Sequence, residues 1–431
     1  MFLNSKPGKL FVFLVAAIFA GSIPKTAQAQ ATLLLEEPYS YDGTFAGTGH
    51  AAVYLSRVCA EMPTLLRRCG PGETGVVISR YHHLEGRDWV AVPLLPYLYA
   101  VDNPGDVPLY ADNKLVSFLR HQYLVKNDIS GPDSYQVVGS AYDRTTYGFR
   151  IETTPEQDDN LIRRLNSAAN RESYQLLKRN CADFAKEIIN FYYPHAVHRS
   201  VIADIGTMTP KQAAKSLAHS AKHRAQMQLT TFLIPQVPGL KRSKPVHGVL
   251  ESLVLAKKYV TPMLLFHPEL VIGVEAAYWA GWRFDPAKGA LIFDPVRGLE
   301  TPLTAGQRNW YTRSVLAMKR ENVESEPLPN WREFVSKTEP QLDAAGQPFL
   351  RLRAENTTTT QIGICRDNAL RISTPPQWME GLLFARLEQE LKSKKPAHAS
   401  EQQIQSDLKL LQQVTKSREA SLASGVLEGT E

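Results

Sequence analysis

The segment from Asn180 to Tyr193 carries the clearest structural pattern of the chain, that of an amphipathic helix with a defined first residue. Asn180 is a preferred N-cap residue, and Asp183 stands where a capping box places its partner. One apolar stripe at helical spacing follows, made of Cys181, Phe184, Ala185, Ile188, Ile189 and Tyr192. Because a helix with one apolar stripe must bury it against another element, this segment predicts a packed helix, for which a sheet is the candidate partner.

Short runs rich in apolar, β-branched and aromatic residues predict the strands of that sheet. They are residues 51–55, 75–81, 89–93 and 147–151. Further helices are predicted over residues 112–124 and 155–168. We expect residues 50–56 and 75–83 to pair antiparallel, which brings the start of the first strand to the end of the second. The fold class is therefore predicted to be α+β.

Cys181 and His50 are the candidate reactive residues. Cys181 occupies the first helical position, where unpaired backbone N–H groups and the helix dipole favour an anion. A thiolate there is a nucleophile, and a neighbouring imidazolium would lower the thiol pKa further. His50 opens a predicted strand, and Gly47 and Gly49 leave its approach unobstructed. Taken singly, each pattern also fits a structural residue. Cys181 could be a cysteine of the core, and His50 a strand histidine that only makes a hydrogen bond.

A catalytic imidazole needs a polar group that orients it. The second predicted strand ends in Arg80-Tyr81-His82-His83, which antiparallel pairing brings near His50. We predict that His82 takes this role, with His83 as the alternative, because the register of the pair is not readable from one sequence.

The four cysteines predict one disulfide and leave one question open. Cys59 and Cys69 are ten residues apart after the His50 strand, and we predict that they close a loop in an oxidising compartment. Cys181 is then a free thiol kept for chemistry, and Cys365 a small buried residue. The alternative is a second bridge between Cys181 and Cys365.

The first 29 residues have the pattern of a secretory signal, with Lys6 and Lys9, an apolar run over residues 10–20 and a small-residue site at Ala27-Gln28-Ala29. The apolar run is too short to span a bilayer. We therefore expect a periplasmic or secreted protein, for which nucleic acid is not a partner. The formal net charge of +6 falls to +3 after cleavage, because this segment holds three lysines and no acid.

The region after residue 200 has a different composition. Seven Lys or Arg residues and no Asp or Glu lie between Ile205 and Leu250, and an apolar stretch follows over residues 246–282. Residues 205–282 therefore predict contact with a membrane surface, or a solvated basic helix face. A helix is predicted over residues 209–228 and a strand pair at residues 349–353 and 361–365. A helix is also predicted at residues 377–392.

We expect five regions along the chain. They are a signal peptide (1–29), a thiol hydrolase domain (30–200), a basic and apolar helical region (201–300), a small α+β domain (301–395) and a helical or disordered tail (396–431). The sequence has no glycine-rich phosphate loop and no complete metal motif, so neither a cofactor nor a metal is expected.

Two short motifs carry a family resemblance. Gly-His-x-x-Val-Tyr at residues 49–54 and Asn-Cys-x-x-Phe at residues 180–184 resemble the circularly permuted branch of the papain-like, NlpC-type cysteine hydrolase superfamily, which includes the lecithin:retinol acyltransferase-like proteins. In that branch the histidine precedes the cysteine, as here. Over roughly residues 40–195, the resemblance implies a Cys181 nucleophile, a His50 base and a nucleophile helix packed on an antiparallel sheet.

Together these features predict an exported cysteine-dependent hydrolase or acyltransferase that works on an amide or ester of the cell envelope through an acyl-enzyme. Location favours a cell-wall (peptidoglycan) peptide as substrate, and the resemblance equally allows a lipid acyl group. The alternative is a non-catalytic envelope binding or scaffold protein that keeps the fold.

Overall fold

The computed structural model describes about three fifths of the chain, with gaps. The described residues are 29–39, 48–82, 84, 86–108, 111–130, 134–171, 173–204, 206–237, 239–241, 243–249, 251–252, 265–277, 284–295, 298–300, 304–313, 338–352 and 360–363. The predicted signal peptide up to residue 28, His83, Cys365, the helix predicted over 377–392 and the tail predicted over 396–431 lie outside them.

The described residues form thirteen named strands and eight named helices. The strands are β1 (Ala29–Glu36), β2 (His50–Leu55), β3 (Val58–Met62), β4 (Leu65–Arg68), β5 (Val76–Ser79), β6 (Val90–Pro93), β7 (Thr146–Thr153), β8 (Thr230–Ile234), β9 (Leu291–Asp294), β10 (Gly298–Glu300), β11 (Thr338–Leu342), β12 (Pro348–Leu352) and β13 (Thr360–Gly363). The helices are α1 (Leu94–Tyr99), α2 (Asn113–Lys126), α3 (Ser140–Asp143), α4 (Pro155–Ser167), α5 (Cys181–Tyr192), α6 (Val201–Asp204), α7 (Pro210–Lys222) and α8 (Pro268–Ala277).

One eight-stranded sheet organises the fold, in the order β10-β9-β8-β7-β1-β2-β5-β6. Neighbours are antiparallel except for the β8–β9 pair, which is parallel. The predicted pairing of the His50 strand with the next strand is present, with Val53 opposite Ile78. The sheet continues through β8, β9 and β10, so it runs past the boundary predicted at residue 200.

Helices cover both faces of the sheet, which makes the protein a mixed α+β fold. On one face, Ala51, Val53 and Leu55 of β2 pack in a core with apolar residues of α4, α5 and α7. On the other face, Leu34 and Ala52 join a second core with α1, α2 and α3. The strand cores are nearly continuous apolar runs because both faces are buried.

The local sequence predictions agree with several elements and miss others, among them β1, β3, β4 and β8. Helices α2, α4 and α5 lie within a few residues of the predicted bounds. Strand β1 was not predicted, because its apolar run adjoins the apolar and small residues of the predicted signal peptide. Helix α7 ends at Lys222, earlier than predicted, and Gln228 turns the chain with a positive φ of 42° before β8 begins at Thr230.

The predicted disulfide between Cys59 and Cys69 is confirmed, and it joins β3 to the residue that follows β4. This hairpin packs on α4, where Asn166 accepts from the Leu66 N–H and donates to the Leu66 carbonyl. Closing a loop of this size contributes about 2–3 kcal/mol to the free energy of unfolding. The bridge therefore stabilises a hairpin that stands apart from the main sheet.

Two features beyond residue 230 bear on the sequence predictions. The predicted strand pair near residues 350 and 362 is present as β12 and β13, with Phe349 opposite Gly363. Within the described part of the chain, no helix combines the length and the apolar character needed to cross a membrane.

Candidate active site

The start of α5 is held by a dense set of hydrogen bonds. The Asn180 side chain accepts from the Asp183 N–H at 3.0 Å, and the Asp183 carboxylate accepts from the Asn180 N–H at 3.5 Å, so the predicted capping box forms. The Asn180 amide also donates to the Leu176 and Met208 carbonyls, each at 2.9 Å. These bonds fix Cys181, the next residue, against the beginning of β2.

Asn180→Ala is expected to lower the free energy of unfolding by about 2–3 kcal/mol, because it removes the cap and leaves two carbonyls without their donor. The matched control is Thr154→Ala, which removes the exposed cap of α4 and should cost about 1 kcal/mol. Urea unfolding of both variants measures the difference. Equal losses would contradict a special role for Asn180.

Cys181 and His50 line one cavity of ≈340 Å³. Its described lining is Pro38, Tyr39, Thr48, Gly49, His50, Tyr135, Gln136, Arg144, Tyr174, Leu176, Leu177, Asn180, Cys181, Thr207, Met208, Thr209, Pro210 and Val249. Both residues are half-buried, and Cys181 is a free thiol. The structure thus brings the two predicted residues to the same cavity, and it adds a wall from residues 207–210 that lies beyond the predicted domain.

Ser79 orients the His50 ring. The Ser79 hydroxyl donates its one proton to the Ala51 carbonyl at 3.0 Å, and its oxygen lies 2.8 Å from His50 Nε2. With that proton committed, we assign His50 the tautomer in which Nε2–H donates to Ser79. Nδ1 then keeps its lone pair and is the nitrogen able to accept a proton.

Tyr81 packs against the other side of this arrangement, and His82 does not take part in it. The Tyr81 and His50 rings stack with centroids 4.8 Å apart. His82 is exposed, and its ring lies 5.1 Å from that of Tyr174. In the structure, the polar group that contacts the His50 ring is therefore the Ser79 hydroxyl and not His82, for which this role was predicted. His83, the alternative, lies outside the described residues.

Ser79→Ala is expected to lower the rate of Cys181 acylation about tenfold, which corresponds to one lost hydrogen bond that holds the ring. Nitrogen NMR of His50 should show loss of the single Nε2–H tautomer, a change that a purely structural serine would not produce. Ser140→Ala is the control, since Ser140 is equally buried but its hydroxyl has no partner in the structure. If the His50 tautomer is unchanged in Ser79→Ala, Ser79 does not orient the His50 ring.

Burial sets the charge state of both reactive groups. It lowers the pKa of His50 to about 3, with a smaller contribution from the Arg144 charge. It raises the pKa of the Cys181 thiol to about 11, although backbone hydrogen bonds from Ala51 and Ala182 act in the opposite direction. The resting pair is therefore neutral near pH 7, whereas the sequence argument from the helix dipole and an imidazolium favoured a thiolate.

An ion pair lies behind His50. Glu36, the cross-strand neighbour of His50 on β1, is fully buried and accepts from the Tyr97 hydroxyl at 2.6 Å. Its other oxygen lies 3.1 Å from Nη1 of Arg144. The Tyr39 ring stacks on the Arg144 guanidinium at 4.4 Å. Because Arg144 lines the cavity and Glu36 does not, this network places the positive partner of a buried ion pair at the cavity wall.

A metal site was not predicted, and one group of potential ligands is present among the residues that the structure describes. Ligand atoms of Cys59, Cys69 and Glu73 lie within 4.8 Å of one another. The two sulfurs are bonded to each other, so neither is a thiolate ligand.

Comparison with known proteins yields little. No protein-family model and no curated protein matches the chain. A solved structure that is similar is the type VI secretion system effector TseH, with 12% sequence identity, a TM-score of 0.23, and coverage of 48% of this chain and 94% of that chain. A TM-score this low supports no assignment, and the functional conclusion rests on the geometry of the cavity.

Proposed function

We propose that the protein is an exported cysteine-dependent hydrolase or acyltransferase of the permuted papain-like, NlpC-type superfamily. The observation that carries the proposal is one cavity lined by a free cysteine at a capped helix start and by a histidine with an oriented ring. The order of the two residues along the chain, histidine first, is that of the permuted branch. The signal-like first 29 residues support a substrate in the cell envelope.

The chemistry starts from a neutral pair. The Cys181 sulfur attacks the carbonyl carbon of an amide or ester while its proton passes to Nδ1 of His50. The Cys181 N–H at the start of α5 holds the negative oxygen that develops on the substrate, since the Asp183 N–H is already bonded to Asn180. The C–N or C–O bond then breaks, the leaving group takes the proton from His50, and a thioester on Cys181 remains. Water or another acceptor attacks this thioester and releases the thiol.

The test uses the mature full-length chain and an activated ester, p-nitrophenyl acetate. Intact-mass analysis should show one acetyl group, and peptide mapping should place it on Cys181. Purified peptidoglycan and phospholipid vesicles, offered separately as donors, then distinguish a peptide from a lipid acyl substrate. If no acyl group is found on Cys181 and neither donor is consumed, the non-catalytic binding or scaffold protein becomes the better assignment.

A further inference from the structure

Arg144 is the one charged side chain among the described residues that line the cavity, and no Asp or Glu stands in that lining. Its exposed fraction is 7%. It lies at the junction of α3 and β7, and its charge lowers the pKa of both His50 and Cys181, although the Glu36 charge raises the pKa of Cys181 by more than Arg144 lowers it. Glu36 partly compensates this charge from outside the lining, so Arg144 is the charged group that a ligand can contact directly among the described lining residues, and it favours ligands of opposite charge.

The contacts of Arg144 leave part of its guanidinium available. The Glu36 carboxylate lies 3.1 Å from Nη1, and the Tyr39 ring covers one face of the guanidinium. Nε has no hydrogen-bond partner in the structure, although it is buried. A buried donor without an acceptor costs about 1–3 kcal/mol. An acceptor supplied by a ligand would offset that cost.

The ion pair presents its positive partner to the cavity. Glu36 does not belong to the cavity lining, and the Tyr97 hydroxyl and Arg144 hold its two oxygens on the buried side. Arg144 does belong to the lining. Guanidinium groups fixed in this way bind carboxylates and phosphates through two parallel N–H donors.

We propose that Arg144 binds an oxyanion group of the substrate, a carboxylate or a phosphate, beside the bond that Cys181 attacks. The inference rests on the proposed function, because it takes the ligand of this cavity to be the substrate of the thiol. It adds that the acyl donor is anionic close to its reacting carbonyl, and that neutral or cationic donors are poorer substrates.

The experiment compares two alkylating reagents of similar size, anionic iodoacetate and neutral iodoacetamide, on Cys181 of the full chain. The ratio of their rate constants cancels any change in thiolate fraction and reports how well the site accepts a carboxylate. Arg144→Gln should lower this ratio about tenfold, the effect of one charge in a partly screened site. Glu36→Gln should raise it, because the charge of Arg144 is then uncompensated.

Two further variants keep the result interpretable. Glu36→Gln combined with Arg144→Gln leaves no unpaired buried charge, so it preserves the fold if Arg144→Gln alone does not. Its ratio should fall about tenfold below that of Glu36→Gln. Arg179→Gln removes a half-exposed charge two residues from Cys181 and outside the lining, and solvent screening should leave its ratio unchanged.

Protection against iodoacetamide by acetate or by inorganic phosphate then distinguishes a carboxylate from a phosphate ligand. A ratio that is the same in wild type, Arg144→Gln and the double variant would overturn the anion site. Because alkylation needs no turnover, this failure is distinct from failure of the proposed function, which is the absence of an acyl group on Cys181 after treatment with the ester.

Discussion

Cys181→Ala should abolish acylation of the protein by p-nitrophenyl acetate, with at least a ~10³-fold loss of ester turnover. The thioester needs the sulfur, and an alanine methyl group offers no nucleophile. The substitution fits the fold, because Cys181 is half-buried on the apolar stripe of α5 and makes no disulfide within the described residues. Unfolding by urea should therefore stay within about 1 kcal/mol of wild type.

The matched control is Cys365→Ala, which removes the other cysteine outside the Cys59–Cys69 bridge. It should leave acylation unchanged. If Cys181→Ala is still acetylated at the wild-type rate, on Cys365 or on a lysine, Cys181 is not the nucleophile. Acylation that is absent in wild type and appears in Cys365→Ala would instead favour a bond between Cys181 and Cys365.

His50→Ala should lower the acylation rate at pH 7 by about 10²–10⁴-fold and change the shape of its pH profile. In wild type the pKa of His50 is about 3 and that of Cys181 about 11, so the base is free and the thiol protonated across the range between. The rate should be flat from about pH 5 to pH 9. Without the imidazole only free thiolate reacts, and the rate should rise tenfold per pH unit toward pH 11.

His82→Ala is the control for this measurement. The His82 side chain is exposed, its ring lies next to that of Tyr174, and it is outside the cavity lining. Its profile should match wild type. A wild-type profile that rises steeply through pH 8 would contradict the neutral pair and indicate that only free thiolate reacts, without help from His50. A flat profile in His50→Ala would remove His50 from the mechanism.

The elements that sequence could predict are those governed by local interactions. The cap and first turn of α5 depend on Asn180 and Asp183, which are three residues apart, and the helix begins where the pattern places it. The Cys59–Cys69 bridge is similarly local. The meeting of His50 and Cys181 in one cavity followed from the family resemblance, because 130 intervening residues carry no local signal of contact.

The rest of the site depends on strand register and long-range pairing. Ser79 reaches His50 only because Val53 lies opposite Ile78, which puts Ser79 and His50 on the same face of the sheet. Alternation along the second strand was a usable signal, since it groups Ser79 with Tyr81 and separates both from His82. No comparable pattern marks Arg144, whose partner Glu36 lies over a hundred residues earlier.

The pairing of β7 with β8 sets the smallest piece of this chain that can serve in an assay. A fragment that ends at residue 200 would lack Thr230–Ile234, and residues 146–150 of β7 would become an open edge with free N–H and C=O groups. Such an edge is a template for aggregation. The fragment would also lose the Thr207–Pro210 wall and Val249. Because β8 pairs in turn with β9, truncation for crystallisation or kinetics should keep the chain through β10, which ends at Glu300, even though both reactive residues precede residue 200.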